Sequence, residues 1–215
     1  MVKISLGWEW RKQVVLRELQ DVVEYADTVE DALTVKSEDF RRWVETRASK
    51  LPEDEVDVFY DAFIEDRSKL AQEFPNLLRY SLFVLCYSIV EQKLAEVCWY
   101  VHRRWPESPE PPKDVGVQRS AKYLEKAANV NVRCAPGWDS IRAYRHIRNA
   151  IVHGDGVLNG LPDELIGLLG RTATIAVDRD GRIQLTGDCC AEVVAALGEF
   201  FVDVFDSVKS ALGVS

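Results

Sequence analysis

The sequence predicts a mainly α protein: helices around a central apolar one, extra helices at the N-terminus, and a small β-hairpin before the last helix. Three observations predict this. Apolar residues recur at helical spacing through most of the 215 residues. One helix, opened by Pro75, is apolar around most of its circumference, as a central bundle helix or a subunit interface is. Alternation with period two replaces the helical period only around residues 172–186.

The first helix is expected from about Trp10 to Leu33, with Val14, Leu16, Leu19, Val22, Val23, Ala26 and Val29 as its apolar stripe. Ser37-Glu38-Asp39 reads as the N-cap of a separate short helix through Trp43 to Lys50. Pro52-Glu53-Asp54-Glu55 opens a further one, its acidic first turn suited to the helix dipole. The central helix runs from Pro75 to about Arg104, and Glu91, set in its apolar surface, needs a partner or water. After the stiff loop Trp105–Pro112 come helices at Gln118–Ala128 and Trp138–His153, with Gly154 placed as the C-terminal glycine of the latter. A short helix around Pro162–Leu169 precedes the hairpin, whose arms Thr172–Val177 and Arg182–Thr186 flank Asp178-Arg179-Asp180-Gly181. Asp188 is expected to cap the last helix, which carries Val193, Leu197, Phe200, Phe201, Val204, Phe205 and Val208 on a broad apolar face. The expected organisation is an N-terminal helical extension, 1–73, packed on a core domain, 74–215.

Composition narrows the function classes. With 47 % hydrophobic residues and six tryptophans the chain can bury a sizeable core. No run of eighteen apolar residues is free of charge, and the N-terminus lacks a secretory apolar run, so no membrane association is expected. Cys86, Cys98, Cys134, Cys189 and Cys190 have no metal-like spacing, and a reducing cytoplasm is the expected location. Net charge is −8, yet residues 101–153 carry a net +5 against −13 for the remainder. A local basic region on an acidic body can engage a few phosphates but cannot wrap long duplex; a solvated helix face is the alternative reading.

One stretch carries chemistry: Arg148-Asn149-Ala150-Ile151-Val152-His153, followed by Gly154-Asp155-Gly156. A guanidinium that holds phosphate and an imidazole that moves protons near neutral pH suit metal-free cleavage of a phosphodiester. On a helical wheel Ile141, Tyr144, Ile147 and Ile151 share the core face, whereas Arg145, Asn149 and His153 stack four apart on another. Arg148 projects about 100° from Asn149. In a symmetric dimer two such polar edges could form one composite groove. In this reading His153 is general base or acid, Arg148 stabilises charge on the phosphoryl oxygens, Asn149 orients either of them, and Arg145 contacts substrate. No cofactor and no metal are called for. The alternative is structural: His153 caps the last carbonyls of its helix and Arg148 pairs with Glu91 as a strut. His102 with Arg103 and Arg104 could line a phosphate groove, but a solvated helix end is the stronger reading there.

These residues resemble the signature of the HEPN superfamily (higher eukaryotes and prokaryotes nucleotide-binding domain): an arginine, a polar residue, apolar positions and a histidine, here Arg148 to His153. The helix Leu77–Leu94, with Glu91 embedded, is similar to that family's apolar helix, and the resemblance spans roughly Phe74 to Leu212. It implies an up-and-down bundle that dimerises and acts as a metal-independent endoribonuclease, such as a prokaryotic toxin or anti-phage defence effector. The implied partners are RNA, a second copy of the chain, and an antitoxin or defence-system protein. Arg148, Asn149 and His153 occupy the motif positions, and Glu91 matches loosely as a supporting acid. Some toxins of the superfamily carry a modified tyrosine two residues after the histidine; Asp155 stands there, so that regulation is not expected. The second expectation is a non-catalytic module of the same fold that binds a partner protein or a nucleotide.

Overall fold

A computed structural model describes residues 2–114 and 116–213. The chain forms α1 (Val2–Ala48), α2 (Glu53–Ala62), α3 (Ile64–Ser68), α4 (Phe74–Arg104), α5 (Val117–Ala128), α6 (Trp138–Gly154) and α7 (Asp163–Leu169). Strands β1 (Ile175–Val177) and β2 (Ile183–Leu185) and helix α8 (Cys189–Ala211) complete it. It is mainly helical, with a two-stranded antiparallel sheet immediately before the last helix, as expected. Among the described residues no helix is long and apolar enough to cross a membrane.

The N-terminal helices depart from the expected pattern. Instead of two helices divided at Ser37, α1 is one 47-residue helix, about 70 Å long at 1.5 Å per residue. Between Trp8 and Leu51 there is neither glycine nor proline, and one serine costs too little helix propensity to end a helix whose neighbours favour it. The first proline, Pro52, follows its end. The first half of α1 belongs to the main core, burying Trp8, Val15, Leu19, Val22 and Ala26. Trp8 Nε1 donates to the Phe205 carbonyl of α8 at 2.8 Å. The second half leaves that core and packs its Trp43 against Phe40 and Phe63, an aromatic cluster shared with α2 and the turn after it. A π-helical turn, Lys69–Glu73, joins α3 to α4 without a break in the helical path.

Helix α4 runs through the centre, burying Leu82, Phe83, Cys86, Val90, Leu94, Val97 and Val101. Cys86 and Cys98 are buried thiols within it, as their apolar surroundings predict. Helix α8 buries Leu197, Phe200, Phe201, Val204 and Val208. Asp188 precedes α8 but its side chain makes no capping bond, contrary to expectation; its backbone is already helical at φ −75°, ψ −5°, so the carboxylate is not aimed at the first-turn N–H groups.

The hairpin has a positioning role. Tyr80 of α4 donates to the Ile183 carbonyl at 2.6 Å. The segment after α6 then pairs with the hairpin: Ile183 N–H to Gly156 O, Leu158 N–H to Gly181 O, and a bridge between Val157 and Arg182. Arg79 ties the same strand to α1, donating to both oxygens of Glu30 (2.6 and 2.9 Å) and to the Leu185 carbonyl. The loop leaving α6 is therefore held on the body of the protein.

Candidate functional site

Helix α6 carries the motif. Ile141, Tyr144 and Ile147 face inward and are buried, and Tyr144 meets Phe83 edge-on at 5.5 Å. Three residues per face-turn in the core orient the opposite face outward, so Arg145, Val152 and His153 are exposed. Ile151 is only half-buried, because the helix is ending there.

The end of α6 differs from expectation. Gly154 is its last residue and is not left-handed; Asp155 takes that conformation (φ 50°), followed by Gly156 (φ 77°). The Asp155 and Gly156 N–H groups both reach the Ala150 carbonyl. Aspartate tolerates this conformation better than most residues, which permits the shift by one. Glycine is required next, since a Cβ on Gly156 would stand 2.5 Å from the Tyr80 hydroxyl.

The motif residues separate into two environments. Arg148 turns toward α4: its guanidinium lies 3.5 Å from Glu91 Oε2 and 5.8 Å from the Tyr87 ring centroid, and Nη1 donates to Asn149 Oδ1 at 2.9 Å. Its Nε is buried with no acceptor among the described residues. Burial raises the Glu91 carboxyl above its ordinary value, and Arg148 partly opposes this. Burial likewise pushes Tyr87 up to about 12. The pairing of Arg148 with Glu91 is the one the structural alternative anticipates.

His153 lies elsewhere, in a cleft of about 210 Å³ formed with Asn149, Ala150, His146 and the loop 157–162. Neither of its ring nitrogens is hydrogen-bonded among the described residues, so it does not cap the helix carbonyls. Asn149 is the link: it lines the His153 cleft and accepts from Arg148. Arg145 does not join them. It lines a second cleft of about 430 Å³ with Arg133, Arg142, His146, Glu164, Trp138, Tyr87 and the first residues of α5.

His146 lines both clefts, and motif reading passed over it. Its signal was the seven-residue spacing to His153, which returns a helix to nearly the same face. Glu164, in the first turn of α7, ion-pairs with Arg142 and lies 4.0 Å from His146 Nε2. Its carboxyl is held below the ordinary range, first by its own backbone N–H and then by Arg142, His146 and Arg145. That meeting is long-range and leaves no local pattern. His102 is bonded through Nδ1 to Ser108 (3.2 Å), which in turn meets Tyr123, so it braces the loop after α4. Among the described residues no group of three or more His, Cys, Asp and Glu side chains is placed to hold a metal ion.

Chemically, one chain offers an exposed imidazole beside an amide, with a guanidinium behind that amide. Arg148 is turned to Glu91 on α4, whereas His153 lines its cleft with Asn149. The chain matches no family model, and no curated protein or solved structure aligns with it significantly.

Proposed function

We propose that this chain is a HEPN-type, metal-independent endoribonuclease, acting as a dimer in a toxin or anti-phage defence role. The observation that carries the reading is the placement of His153 at an open cleft, with neither ring nitrogen bonded among the described residues and Asn149 joining it to Arg148. An imidazole without a structural duty, next to an amide already oriented by a guanidinium, suits proton transfer. In the proposed reaction His153 takes the proton of an RNA 2′-hydroxyl. The 2′-oxygen bonds to the adjacent phosphorus, the P–O5′ bond breaks, and the leaving oxygen takes a proton from water, to which the His153 imidazolium returns the one it accepted. The products are a 2′,3′-cyclic phosphate and a 5′-hydroxyl. Arg148, from the same or the opposing copy, offsets charge on the phosphoryl oxygens.

The experiment is cleavage of RNA by the purified protein in EDTA, with wild type compared with His153→Ala. Cyclic phosphate ends from wild type and none from the variant support the reading. Cleavage that persists in the variant removes His153 from it.

One observation favours a second reading, a non-catalytic module of the same fold. Arg148 is engaged by Glu91 and Tyr87, as a strut between α6 and α4 would be. Absence of cleavage by either protein across several RNAs, with Arg148→Ala unfolding more readily, would select it.

A further inference from the structure

The larger cleft has a composition unlike the rest of this acidic chain. Its lining includes Arg133, Arg142, Arg145 and His146, and Glu164 is the one carboxylate among those lining residues. Arg145 is exposed and has no ion-pair partner among the described residues. Arg133 pairs with Glu125 only at 3.5 Å, in solvent, and Glu125 does not line the cleft. Such an exposed pair contributes little and is readily exchanged. Only Arg142 is committed, to Glu164.

The start of α5 also lines the cleft. Val117 and Gln118 line the cleft as the first two residues of that twelve-residue helix, whose N-cap residue Gly116 makes no side-chain cap bond. The positive end of its dipole adds to the guanidiniums. Planar guanidiniums with forked donors match the oxygens of a phosphate. A phosphate fills only part of 430 Å³, and the remaining space, walled by Trp138, Ile141 and Val117, can take the group the phosphate esterifies.

We propose that this cleft binds a phosphate-bearing ligand, held by Arg142, Arg145 and Arg133, and that Glu164 is a built-in counter-ion which the phosphate displaces from Arg142. Glu164 sits where such an anion would sit, between Arg142 and His146, on a helix of only seven residues. Displacing it removes one tether of α7, whose preceding residue Pro162 lines the His153 cleft. The inference does not rest on His153 being catalytic.

The test titrates full-length His153→Ala at low salt, by calorimetry, with inorganic phosphate, adenosine 5′-monophosphate and a short single-stranded RNA lacking terminal phosphate. Saturable binding is expected from at least one of them. Tighter binding of the monophosphate assigns the site to a free phosphorylated ligand, and tighter binding of the RNA assigns it to the phosphates of a strand. Arg145→Gln, at an exposed position with no ion-pair partner among the described residues, should keep the fold and weaken binding about tenfold or more, the effect of losing one charge-assisted contact. Glu164→Gln should strengthen binding several-fold; a mere staple of α7 would leave affinity unchanged. The proposal fails if none of the three ligands binds at up to about 10 mM, the millimolar range being the weakest that counts as recognition. It fails equally if folded Arg145→Gln and Glu164→Gln bind as their parent does.

Discussion

The Arg148 guanidinium stands 3.5 Å from the Glu91 carboxylate, linking α6 to α4 at a point where both side chains are about three-quarters shielded from water (28 % and 21 % exposed). The pair is imperfectly satisfied, since Arg148 Nε finds no acceptor. A double-mutant cycle with Arg148→Met and Glu91→Gln should give a coupling of about 1 kcal/mol, in the range for groups in direct contact. Urea unfolding of the four proteins measures it, and additive losses would mean that the contact contributes nothing.

Glu91 also sets a pH dependence. Burial is the larger cause acting on its carboxyl and raises it above the ordinary 4.5. A raised carboxyl binds its proton more tightly in the folded state than in the unfolded one. Its contribution to stability is therefore complete below 4.5 and is lost as pH rises through the folded value. Wild type should lose stability relative to Glu91→Gln across that interval, and parallel stability–pH curves for the two would contradict the assignment.

Gly156→Ala should destabilise the protein by more than about 1 kcal/mol, because the position combines φ 77° with a 2.5 Å approach to the Tyr80 hydroxyl. Thermal unfolding provides the measurement. Tyr80→Phe should not recover the loss, because two ring carbons still stand 2.7 and 2.9 Å from the new Cβ and the bond to Ile183 is given up.

His153→Ala should leave stability within about 0.5 kcal/mol of wild type, as expected for an exposed side chain with no hydrogen bond among the described residues. A loss above about 1 kcal/mol in denaturant titration would restore the capping role that the structure does not show.

Val152, 48 % exposed on the motif face of α6, is the apolar residue a second copy would cover if two such faces meet. Light scattering at micromolar concentration should find a dimer for wild type and a monomer for Val152→Glu. A wild-type monomer would remove the composite groove from the proposed mechanism.

Much of the fold was legible because its signals are local. The inward face of α6, Ile141, Tyr144 and Ile147, followed from spacing alone, and so did the hairpin around Asp178–Gly181. The division of α1 at Ser37 failed because a capping residue ends a helix only where something also opposes its continuation. At the site, adjacency misled. Arg148 and His153 are five residues apart and occupy different surroundings, since each residue turns the helix by about 100°.

The amino-acid sequence by itself determined the helices from α4 onward, the faces they bury, and that an arginine, an asparagine and a histidine share the end of α6. These follow from periodicity and turn chemistry, which act over a few residues. Only the tertiary structure decided that Arg148 rests on Glu91 while His153 lines an open cleft, and that Glu164 pairs with Arg142 in a cleft lined by arginines. Charge pairing across helices depends on distances that packing sets, and no spacing along the chain encodes them.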